Sequence, residues 1–447
     1  MAAPLGRRER LTVARLYNLL LYLLLPAALL RLLWRSRRAP AYRQRWRERI
    51  GLYGGRDLRS VAWVHAVSVG EVQAAQPVIK HLLDRHPNER VMVTTTTPTG
   101  SQRLRDLFED QVHHVYTPFD LPPMMNRFLD AVQPRLALVM ETEIWPNMLD
   151  ACEHRHIPVI LANARLSARS CNGYAKLGGF TRDTLRGFAA IAAQGPDDAA
   201  RFRGLGAPAE RVLVTGSIKF DVRQPGSLLE QAEALRHAWG AHRPVWVAAS
   251  THEGEEEQIL RVHRRLRRHH PTALLVLVPR HPERFDRVAA LALRRRLSLV
   301  RRSTGEPCGP NVDVLLGDTM GELPVFLAAG DAAFIGGSLV PVGGHNLLEA
   351  AAVGVPVTMG PHTFNFAQIT RLLIQEGAAI QISDADELAE CMSSWLGDAA
   401  ARTAIGENGR RVVEENRGAL QRLLAIVDNH DAAAARTHGP AGVATGR

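Results

Sequence analysis

Seven short stretches of the chain place acids, bases and small hydroxyl residues directly after apolar runs. "HAVSVGE" carries Ser68, Gly70 and Glu71, "METEIWPN" carries Glu141 and Glu143, and "GSIKFD" carries Lys219. Farther along, "ASTHEGEEE" supplies Ser250 and Thr251, "VPRHPERF" supplies Pro279 and Arg280, and "GDTMGELP" supplies Met320, Gly321 and Glu322. The last, "LVPVGGHNLLEAAAVGVPVTMGP", supplies Gly343, Gly344, Asn346, Leu347, Leu348 and Glu349. A glycine-rich loop feeding a helix start is a ready anion site, and Glu349, one helical turn beyond Asn346, is placed to accept ribose hydroxyls. The chemistry implied is capture of a nucleotide. Each residue also has a plainer reading. Glu71, Glu141 and Glu143 suit the start of a helix as mere complements to its dipole, Lys219 and Arg280 suit a solvated surface, and the glycines suit a capped turn. Their joint recurrence after successive apolar runs is what favours a site.

Those apolar runs are the elements that must position the residues. Strands are expected over 61–67, 90–96, 136–140, 158–163, 189–194 and 212–216, and again over 244–250, 273–279, 313–316, 332–337 and 355–360, with helical stretches or turns between them. This is βαβ repetition, interrupted once by a polar connector near "PGSLLEQAEALRHAWG". With 447 residues, 46% of them hydrophobic, the chain exceeds what one core usually supports. The expectation is an α/β protein of two doubly wound, Rossmann-like domains whose strands end at a common cleft. The boundaries read as 1–50 for an apolar and basic leader, 51–225 and 226–428 for the two domains, and 429–447 for a disordered tail. Four cysteines without a CxxC pair argue against zinc and against a disulfide framework. A formal charge of +10 suits nucleic acid, an anionic membrane or acidic substrates. No aromatic-interleaved basic stripe is present, so no nucleic-acid partner is expected.

"LYNLLLYLLLPAALL", Leu16 to Leu30, is apolar on every helical face. Bracketed by Arg15 and Arg31, it gives roughly 22 Å of helix at ~1.5 Å per residue, short of a ~30 Å hydrocarbon core, with Pro26 expected to kink it. A cleaved signal peptide would need a small-x-small site, and the chain instead runs on through "RSRRAPAYRQRWRERIG". An uncleaved membrane anchor is therefore favoured over a signal peptide or a buried core helix, with the basic run lying on anionic headgroups.

"WVHAVSVGE", "TTTTPTG", "METEIWPN", "ANARLSARS", "GSIKFD", "STHEGEE", "PRHPERF", "GDTMGELP" and "GGSLVPVGGHNLLEAA" follow one another in an order that resembles the 3-deoxy-D-manno-octulosonic acid (Kdo) transferases of Gram-negative bacteria. The likeness runs from the apolar leader to about Pro361, and it departs at Ala350, where many members resemble HNxLEP with proline. The resemblance implies a GT-B fold and transfer of Kdo from CMP-Kdo to the lipid A precursor (lipid IVA) at the cytoplasmic face of the inner membrane. An inverting transfer needs a carboxylate to take the acceptor's proton and cationic groups to stabilise the departing phosphate. Glu71 is the base of choice, and its counterpart in the family is similarly the proton acceptor. Glu141 and Lys219 resemble the family's transition-state stabilisers. Pro279 and Arg280 would hold the phosphate, Met320, Gly321 and Glu322 would border the cytosine, and Asn346, Leu347, Leu348 and Glu349 would hold phosphate and ribose. With no DxD-like pair at a nucleotide phosphate position, neither a metal nor a cofactor is expected. Rival readings are another GT-B transferase or an epimerase acting on UDP-sugars, and a lipid A-binding protein that consumes no nucleotide sugar.

Overall fold

A computed structural model describes residues 7–221 and 226–437. It divides into two compact units, one from the N-terminus to Ile218 with the chain from Gly418 onward, the other from Lys219 to Arg417. The first unit holds a parallel sheet of seven strands, β1 (Ala62–His65), β2 (Val91–Thr95), β3 (His113–Tyr116), β4 (Leu136–Met140), β5 (Val159–Ala164), β6 (Ala190–Ala193) and β7 (Val212–Val214). The order β3-β2-β1-β4-β5-β6-β7 reverses at β1, the switch point where doubly wound sheets bind ligands.

Helices cover both faces, which is why the inner strands are continuous apolar runs rather than alternating ones. Trp63, Met92, Val139 and Leu161 pack on one side with Phe128, Phe188 and Phe202. Val64, Val93, Leu138 and Ile160 pack on the other with Ile79 and Phe108. That second layer also includes Leu423, Ile426 and Val427 of the helix Ala419–Thr437. The chain end thus returns to the first unit. The boundary read at 225 moves to Ile218, the second domain ends before 428, and the helix continues into what read as tail; residues 438–447 lie outside the described residues.

The second unit repeats the plan with β8 (Val245–Thr251), β9 (Leu274–Pro279), β10 (Leu299–Arg301), β11 (Val314–Leu316), β12 (Ala332–Ile335), β13 (Val357–Met359) and β14 (Ala379–Gln381), ordered β10-β11-β9-β8-β12-β13-β14. Two parallel sheets of this kind make up the expected GT-B class. Three strands went unread in the sequence, β3, β10 and β14, and all three are edge strands. An edge strand is covered less completely, so its apolar run is short, as in "HHVY" and "LVR".

The N-terminal helix is longer than expected, Arg7–Arg38, and it passes Pro26 without a break. Its stretch Arg15–Arg37 is long and apolar enough to cross a membrane, by length and composition. Part of the basic run behind it departs from expectation, while Arg35, Arg37, Arg43 and Arg47 remain exposed. Arg45 donates to the carbonyl of His114 at 2.7 Å, Arg49 donates to that of Thr96 at 2.9 Å, and the Glu48 carboxylate accepts from the Tyr116 N–H at 2.9 Å. These side chains cover the edge strand β3 and are not free to lie on headgroups. Arg45 and Glu48 thereby satisfy backbone groups that the edge leaves open, while Arg49 lies over the Tyr116 ring, 4.2 Å from its centroid, and bonds Thr96 just past β2.

Candidate active site

In the first unit, Ser68 caps the helix Val69–Arg85 and Glu71 occupies its third position. The Ser68 oxygen accepts from the Glu71 N–H at 3.3 Å and its hydroxyl donates to Glu71 Oε1 at 3.0 Å. The Val67 N–H donates to Oε2 at 2.9 Å, closing a reciprocal cap. Glu71 is therefore both the plain capping residue and a functional candidate, because the cap fixes its carboxylate at the exit of β1. Only 8% of the residue is exposed. Burial pushes the carboxyl up to about 8, the Val67 and Ser68 donors offset part of the rise, and the nearby charges of Glu141 and Glu143 add to it.

Glu141 directly follows β4 with φ +59°, a left-handed conformation rare outside glycine. Its N–H donates to Ala162 at 2.9 Å, which holds the strained residue in place. Glu143 accepts from the Trp145 indole N–H at 2.7 Å, and the Trp145 ring meets the buried His65 edge-on with centroids 5.0 Å apart. Burial drives the His65 imidazole down to about 3, so it is neutral. Asn163, in β5, is fully buried with φ +53°. His65 Nε2 and Asn163 Nδ2 are buried without a hydrogen-bond partner among the described residues, polar groups of a kind most folds do not leave open.

In the second unit Ser250 takes φ +55° at a register shift near the end of β8. Thr251 is buried and donates to Glu256 at 3.1 Å, while its carbonyl accepts from the Arg280 N–H at 3.0 Å, tying the exits of β8 and β9 together. Asn346 Oδ1 accepts from the Leu348 N–H at 3.1 Å, and Asn346 Nδ2 donates to Glu349 at 3.1 Å. Burial raises the Glu349 carboxyl, and the Asn346 bond and the charge of Arg280 pull it back. Burial lowers the His252 and His345 imidazoles, and the charge of Arg280 adds to both; their rings stack with Nε2 atoms 2.7 Å apart. The helix after the loop, Leu348–Ala352, is a single turn that includes the buried Ala350. Its dipole is correspondingly slight, so side chains rather than a helix terminus must hold an anion here.

The structure thus groups Ser250, Thr251, Pro279, Arg280 and Asn346 to Glu349 around the exits of β8, β9 and β12. Met320, Gly321 and Glu322 follow β11, the other neighbour of β9, with Met320 well exposed and the Glu322 carboxylate held by Arg302 at 2.7 Å and by the Thr319 hydroxyl. Glu71 and Glu141 share the first unit, whereas Lys219 is the first residue of the second. Sequence reading missed His65, Asn163, His252, His345 and Glu255. The last is fully buried and accepts from the N–H groups of His252, Gly337, Ser338 and Leu339 at 2.7 to 3.0 Å. Its signal was the charge run "EGEEE", which reads as a solvated face.

Residues 44–222 match the family described as 3-Deoxy-D-manno-octulosonic-acid transferase (kdotransferase), and residues 243–412 match Glycosyl transferases group 1. A 3-deoxy-D-manno-octulosonic acid transferase of Haemophilus influenzae is 45% identical over 395 residues, 88% of this chain and 92% of that one. Its namesake from Bordetella pertussis is 41% identical over 414 residues, 89% and 95% of the two chains. Among solved structures, the C-terminal CMP-Kdo binding domain of an Acinetobacter baumannii protein is 35% identical with a TM-score of 0.41, covering 42% of this chain and 98% of that one. A putative UDP-N-acetylglucosamine 2-epimerase from Listeria monocytogenes has a TM-score of 0.51 at 14% identity over 83% of this chain and 96% of its own, a likeness of fold alone. With two relatives this similar over nearly their whole length, the chain belongs to the 3-deoxy-D-manno-octulosonic acid transferase family and is a glycosyltransferase of lipopolysaccharide biosynthesis.

Proposed function

We propose that the protein transfers Kdo from CMP-Kdo to the lipid A precursor, lipid IVA, with inversion, while attached to the cytoplasmic face of the inner membrane by its N-terminal helix. The observation that carries this reading is the Glu71 carboxylate, buried and held by two donors, with its proton affinity raised to about 8. A base works best when its pKa lies near the working pH, and each Glu71 oxygen keeps a lone pair to accept the proton of an attacking hydroxyl. As the C–O bond to the phosphate breaks, the sugar gains positive character and CMP leaves with an added negative charge. Arg280 is the cation for that phosphate, and Glu349 with Asn346 suits the ribose hydroxyls and the phosphate. Lys219 and Glu141 act as electrostatic stabilisers of the transition state. Met320, Gly321 and Glu322 border the cytosine. The donor, the acceptor phosphates and the bilayer surface are all anionic, which accounts for the net charge of +10. The test is incubation of purified protein with CMP-Kdo and tetra-acylated lipid A precursor. A gain of Kdo mass on the lipid is expected, and no gain with CMP-Kdo alongside turnover of a UDP-sugar would overturn the assignment.

A further inference from the structure

Tyr17 and Asn18 are polar residues inside an aliphatic helix, and both engage the first unit. The Tyr17 hydroxyl donates to Asp120 Oδ2 at 3.0 Å, and its ring packs against Phe180 with centroids 5.5 Å apart. The same carboxylate accepts from the backbone N–H groups of Asn147 at 3.2 Å and Met148 at 2.8 Å, in the first turn of the helix Pro146–Glu153. The Asn147 amide donates to Asn18 Oδ1 and to the Asp120 carbonyl, each at 2.7 Å. Farther along the helix, buried Ser36 accepts from Arg43 at 2.9 Å. Arg43 ends the turn that leads into Arg45 to Arg49, which are folded onto β3.

The helix is therefore held to one water-facing unit at Tyr17 and Asn18, and its other end, where Ser36 bonds Arg43, leads within a few residues to Arg45 and Glu48 on β3; Tyr17 and Ser36 lie about 29 Å apart at ~1.5 Å per residue. That separation is nearly the whole ~30 Å of a hydrocarbon core. A helix crossing the bilayer would carry Asp120, Asn147 and Phe180 to the far side with Tyr17, and the sheet behind them would have to sit in lipid. Neither is compatible with a charged, hydrated domain. Away from these contacts Leu16, Leu19, Leu23, Leu24 and Leu30 are exposed by half or more, with Trp34 near the end and Arg31, Arg35 and Arg37 exposed beside it. An aliphatic surface this long, with an aromatic and cations toward its end, must meet lipid rather than water, and the two attachments to the first unit decide how it does so.

We infer that the N-terminal helix lies flat in one leaflet instead of crossing the membrane, with Tyr17–Asp120 and Asn18–Asn147 as a polar latch that fixes the leaflet relative to the first unit. The occupant of the leucine face is the acyl region of a phospholipid leaflet. The latch joins the start of Pro146–Glu153, which directly follows Glu143 and Trp145, so it sets where a lipid-bound acceptor meets the residues around Glu71. Tyr17 and Asn18 are positioning residues. This inference rests on the membrane attachment proposed above, and the two fail differently.

The test uses the full chain with one epitope at each terminus in inverted inner-membrane vesicles, whose cytoplasmic face is outward. Protease should remove both epitopes. A protected N-terminal epitope beside a cleaved C-terminal one would overturn the flat helix and leave membrane attachment intact, whereas a chain that does not sediment with vesicles at all would overturn attachment itself. Tyr17→Phe with Asn18→Ala should leave sedimentation and turnover of detergent-dispersed acceptor unchanged, while turnover of bilayer-embedded acceptor falls about fivefold or more. Equal turnover in bilayers would remove the latch from acceptor positioning. A lipid-borne photolabel should mark the peptide 15–37; an unlabelled peptide in a cross-linked dimer would assign the leucine face to a second copy and refute the proposal.

Discussion

At the scale of residues, the role proposed for Glu71 as a base conflicts in its demands with the capping role seen in the structure. A capping carboxylate is most favourable when charged, while a general base must be ready to take a proton near neutral pH. Burial settles the conflict toward the base. Because the folded value, about 8, lies above the ordinary 4.5, the folded protein binds more protons than the unfolded chain between those limits. Stability supplied by Glu71 is thus fully present below about 4.5 and is lost as pH rises through about 8. Glu71→Gln should accordingly gain in melting temperature relative to the parent more at pH 8 than at pH 5, a comparison calorimetry reads directly. The same substitution removes the base, so transfer should fall by about 10²-fold or more with little change in CMP-Kdo affinity. In the parent, kcat/KM should climb with pH toward about 8; a flat profile would take Glu71 out of the proton transfer. For the donor side, Arg280→Ala and Glu349→Ala should each weaken CMP binding by roughly 10- to 100-fold, since charge-assisted bonds contribute about 1.5–3 kcal/mol. Unchanged titration calorimetry in both variants would place the nucleotide elsewhere.

At the scale of elements, the site is built where strands end under strain. Glu141, Asn163 and Ser250 all take positive φ at or just past the carboxyl ends of β4, β5 and β8, conformations that persist only where surroundings enforce them. The loop after β12 shows how such enforcement works. Four backbone N–H groups converge on the buried Glu255 carboxylate, and Gly343 sits at φ +107° where an added Cβ would come within 2.4 Å of the Asn365 amide. Glu255→Ala would orphan those donors and should destabilise the second unit by about 2–4 kcal/mol, seen as an earlier melting transition. Gly343→Ala should cost about 1–3 kcal/mol and loosen CMP binding with it, because the loop carrying Asn346 and Glu349 must shift. If Gly343→Ala binds CMP as the parent does, the conformation of that loop does not govern the donor site. The glycines were visible in the sequence because glycine is conspicuous. Glu255 was not, since a buried acid and a solvated one are the same letter.

At the scale of the whole molecule, the helix proposed to attach to lipid and the residues proposed for catalysis occupy separate parts of the chain. Deleting residues 1 to 34 should release the protein from membranes and lower turnover of bilayer-embedded acceptor, while turnover of detergent-dispersed acceptor stays largely intact. Arg45 and Arg49 cover β3, so residual adsorption of the basic run to anionic vesicles must come from the exposed cations Arg35, Arg37, Arg43 and Arg47, and it should vanish as added salt shortens the ~10 Å screening length. Sedimentation of the truncated chain with neutral vesicles at high salt, equal to that of the full chain, would assign membrane contact to another surface.

The sequence by itself determined the class of the fold, because inner parallel strands buried on both faces must be apolar throughout, and runs such as "VAWVHAV" and "ALLVLVP" leave little alternative. It also determined which residues stand at the strand exits, since a motif that follows such a run has nowhere else to go. Tertiary structure alone decided what those residues touch. That Glu71 is buried, that Glu255 is a scaffold, that Arg45 and Arg49 cover an edge strand, and that helix Ala419–Thr437 returns to the first unit all depend on partners far away in the chain. Burial and hydrogen bonding are set by those distant neighbours, and local periodicity carries no record of them.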